Sequence, residues 1–224
     1  YAHMIEAALA LRESTNDKRY LSRAQAWTHT LHEHFWDVLN GGYFSTSDEA
    51  DPLIIRPRPV FDSAMPCANG LMPGLLCKLY LATLDQQYRA RSNAVIEAFS
   101  GEVGRAYVSM PSYLNSLDTM TNALTVVIVG PVTNTKTHEL VSAVRGRSLP
   151  GGLMMLVDPN ESLPVGHPAY GKTMLGGAPT AYVCHRMSCS QPINNPVTLS
   201  QALQPPLRFT PPAEQMMPPP MGQA

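Results

Sequence analysis

Charge is scarce in this chain. Asp, Glu, Lys and Arg make up 15% of its 224 residues, against about a quarter in an ordinary soluble domain. The formal net charge is −1, and no long basic run occurs. Neither nucleic acid nor an anionic membrane surface is therefore expected as a partner. Long apolar runs are missing as well: none reaches the ~18 residues that suggest a membrane span. Cysteine is sparse. Cys67, Cys77, Cys184 and Cys189 are too few and too scattered for a disulfide scaffold. The compartment stays open on that count, with a reducing, cytoplasmic one favoured. No secretory signal is visible, since Tyr1 leads directly into a helical pattern. The chain reads as the back part of something longer.

Hydrophobic residues make up 44% of the sequence, enough for a real core. The first half says one thing twice. TNDKRYL begins at Thr15 and TLDQQYR at Thr83, so Thr15, Asp17 and Tyr20 recur as Thr83, Asp85 and Tyr88. Before the first copy, Met4, Ala8 and Leu11 form a stripe of helical period. After it, Leu21, Ala24, Trp27, Thr28, Leu31 and Phe35 form the return stripe, with Asn16 or Asp17 placed to accept hydrogen bonds from its free N–H groups. The second copy has Leu71, Leu75 and Leu79 before the loop and Tyr88, Ser92, Val95 and Phe99 after it. Pro73 is expected in the first turn of its helix, because an interior proline costs about 3 kcal/mol. A lone helical hairpin cannot bury its apolar face. The predicted fold is therefore mainly α, a partial α/α barrel of stacked hairpins over residues 1–122.

Between the hairpins, GYFST and PLIIRP read as short extended segments, limited by Pro52, Pro57 and Pro59, and Gly41 and Gly42 break the preceding helix. So long a connection points to a job. A further helix is expected from Pro111 to about Thr119, with Tyr113, Leu114 and Leu117 inward. The period then changes. TVVIVG, GLMMLVD and TAYVC read as buried strands and THELVSAVRG as a helix, which predicts a small α/β module over residues 123–204 with a mostly parallel sheet. Residues 205–224, rich in proline, are expected to form a disordered tail.

Several motifs invite chemistry. GHPAYGKT, Gly166 to Thr173, spells a phosphate-binding loop. Yet no strand feeds it directly, MLGGAPT after it cannot be a helix, and Pro168 removes one N–H from the cradle. A surface loop is the expectation. VVIVGP carries one glycine and no dinucleotide fingerprint. His29 and His32 share a helix face but lack a third ligand there, so solvated histidines are expected and no metal. Cys184 and Cys189, five apart, are read as two thiols rather than a disulfide or half a zinc site. No cofactor is called for. Trp27, Phe35, Trp36, Tyr43 and Phe44 lie near Asp48, Glu49, Asp51, Arg56, Arg58, Asp62 and Asn69. Aromatic platforms with carboxylates and amides suit sugar rings, although no pair of carboxylates stands out as a glycosidase pair.

YAHMIEAALALRESTNDKRYLSRA, FWDVLNGGYFSTSDEADPLIIRPRPVFDSAMPCANG and APTAYVCHRMSCSQPI, in that order, resemble the C-terminal part of the thioredoxin-domain-containing proteins related to spermatogenesis-associated protein 20, over roughly Tyr1 to Leu203. The resemblance implies a parent with an N-terminal thioredoxin-like domain followed by an α/α barrel similar to N-acylglucosamine 2-epimerases and six-hairpin glycosidases. The missing N-terminal part would be this chain's partner, and a sugar or small polar molecule its ligand. The reaction is undefined, and a non-catalytic binding or interaction scaffold is the alternative. In the family's loop, approximately D-G-A-x-P-S-G-N-S, Asp62, Ala64, Pro66 and Asn69 match, while Ser63, Cys67, Ala68 and Gly70 depart. Asp62 and Asn69 are thus the expected pocket-lining residues, followed by Arg56, His3 and Tyr1, with Asp62 the candidate general base.

Overall fold

In a computed structural model, the structure describes residues 1–51, 53–122, 124–149, 151–185 and 188–203. The tail expected to be disordered, residues 205–224, and Pro52 lie outside them. About half of the chain is helical. Helix α1 (Ala2–Thr15) and α2 (Lys18–His34) form one hairpin, and α3 (Ala68–Thr83) and α4 (Gln86–Ala106) form a second. A short 3₁₀ turn (Tyr107–Ser109) leads to α5 (Pro111–Asn122). Helix α3 lies at the centre, touching α1 on one side and α5 on the other, while α2 packs on α1 and α4 on α3.

The repeated heptapeptide makes the same turn twice, atom for atom. Thr15 and Thr83 each donate a hydroxyl hydrogen bond to the carbonyl four residues back, at 2.7 and 2.8 Å. Each hydroxyl then accepts from the N–H of Asp17 or Asp85 at 3.2 Å. Those aspartates cap the return helices, accepting from the N–H of Arg19 and Gln87 at 2.9 Å. Between them Asn16 and Leu84 turn the chain left-handed, with φ of 58° and 63°. The cap is Asp17 rather than Asn16, whose amide oxygen instead accepts from the Arg12 guanidinium.

Two stripe assignments and the place of one proline need correcting. In α1 the buried face is Ala2, Ile5, Ala8 and Leu9, while Met4 and Leu11 are exposed. The true stripe is rotated by about one residue. In α5, Tyr113 is buried and Leu114 half-buried, but Leu117 is exposed. Pro73 is interior to α3, five residues past its start. The carbonyl of Asn69 loses its helical N–H partner there, and the same turns gain bonds from neighbouring helices: the Ser116 hydroxyl donates to the carbonyl of Gly70 at 2.6 Å, and Ser92 Oγ donates to that of Pro73 at 2.8 Å. Gly70 makes this close approach possible, since a Cβ there would overlap the Ser112 side chain. Elsewhere the stripes hold. The buried residues of α4 are Tyr88, Ser92, Val95 and Phe99.

After α5 come β1 (Leu124–Val129), α6 (Thr135–Arg145), β2 (Leu153–Val157), β3 (Thr180–His185), β4 (Ser188–Cys189) and α7 (Pro196–Ala202). The strand order is β2-β1-β3-β4. The sheet is mixed, not mostly parallel. Only β1 and β2 run parallel, joined by α6, whereas β3 is antiparallel to β1, with Val127 opposite Tyr182. A second parallel strand would need another crossover helix, and residues 158–179 contain none. The chain therefore crosses as a loop and returns the other way. Val126, Ile128, Leu140, Val144 and Leu199 fill one side of the sheet, under α6 and α7; Val127, Val129, Val157 and Ala169 fill the other, under the long loop. Burial on both faces explains why β1 is apolar throughout. GHPAYGKT lies in that loop, with Lys172 Nζ donating to the Pro168 carbonyl at 2.6 Å.

Cys184 and Cys189 form a disulfide, contrary to the reading as two thiols. They are direct partners in the antiparallel pairing of β3 with β4, which spacing alone does not reveal.

Asp85→Ala removes the cap of α4, and Asp17→Ala that of α2. Each is expected to lower unfolding stability by about 1 kcal/mol, and the double variant to lose about the sum. Urea titrations of all three check this; no loss in either single variant would contradict it.

Candidate functional site

Among the described residues, the long connection from Phe35 to Cys67 has no strand ladder, apart from a single bridge between Trp36 and Tyr43. Its backbone must find partners elsewhere, and Asn69 supplies them. Only 1% exposed, Asn69 accepts from Tyr43 N–H at 2.7 Å and donates to the carbonyls of Tyr43 (2.8 Å) and Pro59 (2.7 Å). Gly42, at φ 82°, lets the loop come this close: a Cβ there would sit 2.8 Å from the Phe99 ring and 3.2 Å from Asn69 Oδ1.

Asp62 plays a similar part at the loop's far end. Its Oδ1 accepts from Cys67 N–H at 2.6 Å and Ser112 Oγ at 2.5 Å, and its Oδ2 accepts from Ser112 N–H at 2.7 Å. Burial alone would push this carboxyl up, but the Ser112 hydroxyl and the two N–H groups together hold it below the usual carboxylate range. Arg56 donates to the carbonyls of His34 (3.1 Å) and Thr46 (2.6 Å) and lies over the Phe44 ring at 4.3 Å. Tyr1 meets Phe35 edge-on at 5.7 Å, and His3 lies 3.5 Å from Glu6.

His32 is not a solvated histidine. Its ring stacks on Tyr43, with Nε2 3.0 Å from the Tyr43 hydroxyl, and it also meets Trp36 and Tyr88. Burial, helped by the nearby Arg91 charge, pushes it down to about 3. Burial pushes the Tyr43 hydroxyl well up, so both groups stay neutral. His29 is exposed and pairs with Glu33 at 3.4 Å. Among the described residues no three His, Cys, Asp or Glu side chains converge as metal ligands would.

Of the five residues singled out in the sequence, Asp62 reaches an open groove. This groove, about 480 Å³, runs over α1, α3 and α5 and is lined by Glu6, Glu13, Asp62, Lys78, Ser112 and Asn115 among others. Tyr1, His3, Arg56 and Asn69 are not among its lining residues. A second cleft, about 410 Å³, opens between the hairpins and β2, and Leu9, Glu13 and Lys78 line both. Its walls include Leu21, Leu153 and Met155, and Arg12, Lys18, Glu161 and His167 supply its polar groups.

Glu13 and Lys78, 3.5 Å apart, thus stand where the two openings meet. Burial pushes the Glu13 carboxyl up; the Lys78 ammonium and a hydrogen bond from Met154 N–H oppose this without cancelling it. A half-buried acid of raised pKa beside an ammonium can bind a hydroxyl group or exchange a proton with it. Lys18 and Glu161 close one side of the cleft at 2.6 Å. The sequence did not flag Glu13 or Lys78. One signal was available: Lys78 is the single charged residue of α3.

Helical hairpins that stack in sequence order and lead into a small mixed sheet define the class of protein. Within it, the chain is similar to spermatogenesis-associated protein 20 of Homo sapiens, 29% identical over 210 residues that cover 92% of this chain and 27% of that protein. The proteins of the same name from Mus musculus and Rattus norvegicus are 27% and 26% identical, each over 91% of this chain and 26% of their own length. The chain thus spans about a quarter of the curated relatives it matches. No protein-family model matches it.

Two measurements check the loop's anchoring. Asn69→Leu leaves the buried N–H and carbonyl of Tyr43 without this partner and the Pro59 carbonyl with the weaker Cys67 thiol donor, and is expected to cost about 2 kcal/mol or more, read by urea unfolding; a loss under about 1 kcal/mol would contradict the role given to the amide. His32 is neutral when folded but protonates near 6.5 when unfolded. Below that pH the unfolded state binds the extra proton, so stability falls as pH drops. The expected slope from His32 is about 1 kcal/mol per pH unit between pH 6.5 and about pH 4.5. His167, pushed down by burial, adds to it, while His34, raised by its hydrogen bond to Asp48, works the other way. His32→Gln should flatten the profile; an unchanged slope would rule His32 out.

Proposed function

We propose that the chain is the C-terminal portion of a longer protein of the spermatogenesis-associated protein 20 type, and that its helices belong to an α/α barrel that binds a sugar or similar polyol. The observation that carries this is the groove over α1, α3 and α5, which gathers the carboxylates of Glu6, Glu13 and Asp62, the Lys78 ammonium and the Asn115 amide. Sugars present many hydroxyl groups, and such a mixture of acceptors and donors matches them. Within this reading Asp62 shapes the groove rather than acting as general base, because three donors already hold it as a carboxylate. Glu13, with its raised pKa, is the better proton-exchanging group. An epimerase- or hydrolase-like reaction is a property of the parent barrel. The chain by itself is expected to bind without turnover, since a site needs its whole supporting shell to fix geometry.

A second reading has its own support. Asn69 and Asp62 spend their hydrogen bonds on the protein backbone and on Ser112, as expected of a non-catalytic scaffold that works through an interaction surface. A thermal-shift series across simple sugars and polyols separates the two. At concentrations well above Kd, at least one compound should raise Tm by about 3 °C or more. Glu13→Gln with Lys78→Met should abolish that rise. The amide is chosen so that an acceptor for Met154 N–H is kept. Melting that stays unchanged across the panel sinks the ligand reading and favours the scaffold.

A further inference from the structure

The Cys184–Cys189 bond does little that the fold requires. The two residues are five apart in sequence and face each other in the β3–β4 pairing. Beyond the cystine, the same hairpin is held without sulfur. Ser190 N–H donates to the Val183 carbonyl at 2.8 Å, and Val183 N–H to Ser190 Oγ at 3.1 Å. Ala181 and Ile193 exchange two backbone hydrogen bonds at 2.7 and 2.9 Å. A disulfide stabilises chiefly by closing a loop in the unfolded chain, and a loop this short is closed cheaply. The strands would stay in register with the sulfurs apart.

The two sulfurs also differ in access. Cys184 is 5% exposed, on the strand that pairs with β1, while Cys189 lies on the exposed edge strand. An external thiolate therefore has one sulfur to reach. Exposed disulfides are the labile, exchanging ones, and which sulfur is attacked is set by access. This independence from the fold and this asymmetry separate the pair from Cys67 and Cys77, which are unpaired and half-buried on the helical side.

We propose that Cys184 and Cys189 form a thiol–disulfide exchange site whose substrate is an external dithiol. In the exchange, one thiolate of the dithiol attacks Cys189 Sγ. The bond between the two cysteines breaks, and Cys184 leaves as a thiolate that takes a proton. The second thiolate of the dithiol then attacks its own sulfur in the mixed disulfide, expelling Cys189 as the other thiolate. The dithiol ends as a disulfide, oxidised by two electrons, and the pair ends as two thiols. Reversal returns the cystine. Cys189 is the exchanging sulfur and Cys184 the resolving one.

The test uses the full chain without denaturant. Dithiothreitol is titrated in, free thiols are alkylated, and peptide masses locate the label while far-UV circular dichroism follows the fold. Cys184 and Cys189 should both gain the label with the helical signal unchanged. A cystine that resists reduction until denaturant is added, or a signal lost along with the bond, overturns the proposal. Single variants give an independent reading. With oxidised glutathione, Cys184→Ser should gain one glutathione at Cys189, and Cys189→Ser should react at Cys184 on the order of tenfold more slowly. Equal rates at the two positions overturn the assignment of roles.

Discussion

One buried amide holds the helical half together. The connection between the hairpins is long and lacks a strand ladder, so its polar backbone would be stranded beneath the aromatic rings of the core. Asn69 takes up three of those groups from the first turn of α3. With the loop fixed there, Tyr43 is set against His32 and Trp36, and the two hairpins are joined by ring contacts running from α2 to α4. Asp62 repeats the device at the other end, tying the loop to α5. The groove over α1, α3 and α5 depends on this arrangement, because the loop delivers Asp62 to its margin.

The helices and the sheet meet mostly through polar groups. Arg145 of α6 donates to the carbonyls of Glu13 and Ser14 at the end of α1. Lys18 reaches Glu161 in the loop after β2. The apolar residues divide accordingly into one cluster among the helices and one on each side of the sheet. Water and salt reach such contacts, which on a surface stabilise by about 0–1 kcal/mol each. The orientation of the sheet on the hairpins rests on several modest bonds around a cleft.

Much of this was legible. The two hairpin turns followed from a repeated heptapeptide, because threonine and aspartate at fixed offsets have one way to close a helix and cap the next. The strand β1 and the buried face of α6 followed from periodicity. What failed did so for local reasons. A run of small residues such as Ala2, Ala8 and Ala10 gives a weak periodic signal, so the buried face of α1 was placed about one residue away. Pro73 sits inside a helix where hydroxyls from α5 and α4 bond the carbonyls of Gly70 and Pro73, partners that no local window contains. The direction of β3 depends on whether the connection crosses the sheet as a helix or as a loop, which a run of turn residues leaves open. The helix α7 was missed although Asn195, which accepts from Val197 and Thr198 N–H, followed by Pro196 is a readable start. At the site, Asp62 and Asn69 stood out by resemblance. Glu13 and Lys78 did not, since a pair formed across two helices 65 residues apart leaves no spacing to read.

Strand β2 lies at the margin of the sheet, with β1 on one side and, among the described residues, no further strand on the other. A bare margin is a template on which another polypeptide can grow. Helix α1 packs against this margin, and the Glu13 carboxylate lies near enough to Met154 N–H to feel it. The first hairpin thus covers part of an edge as well as walling a cleft, and it occupies space that a pairing strand would need.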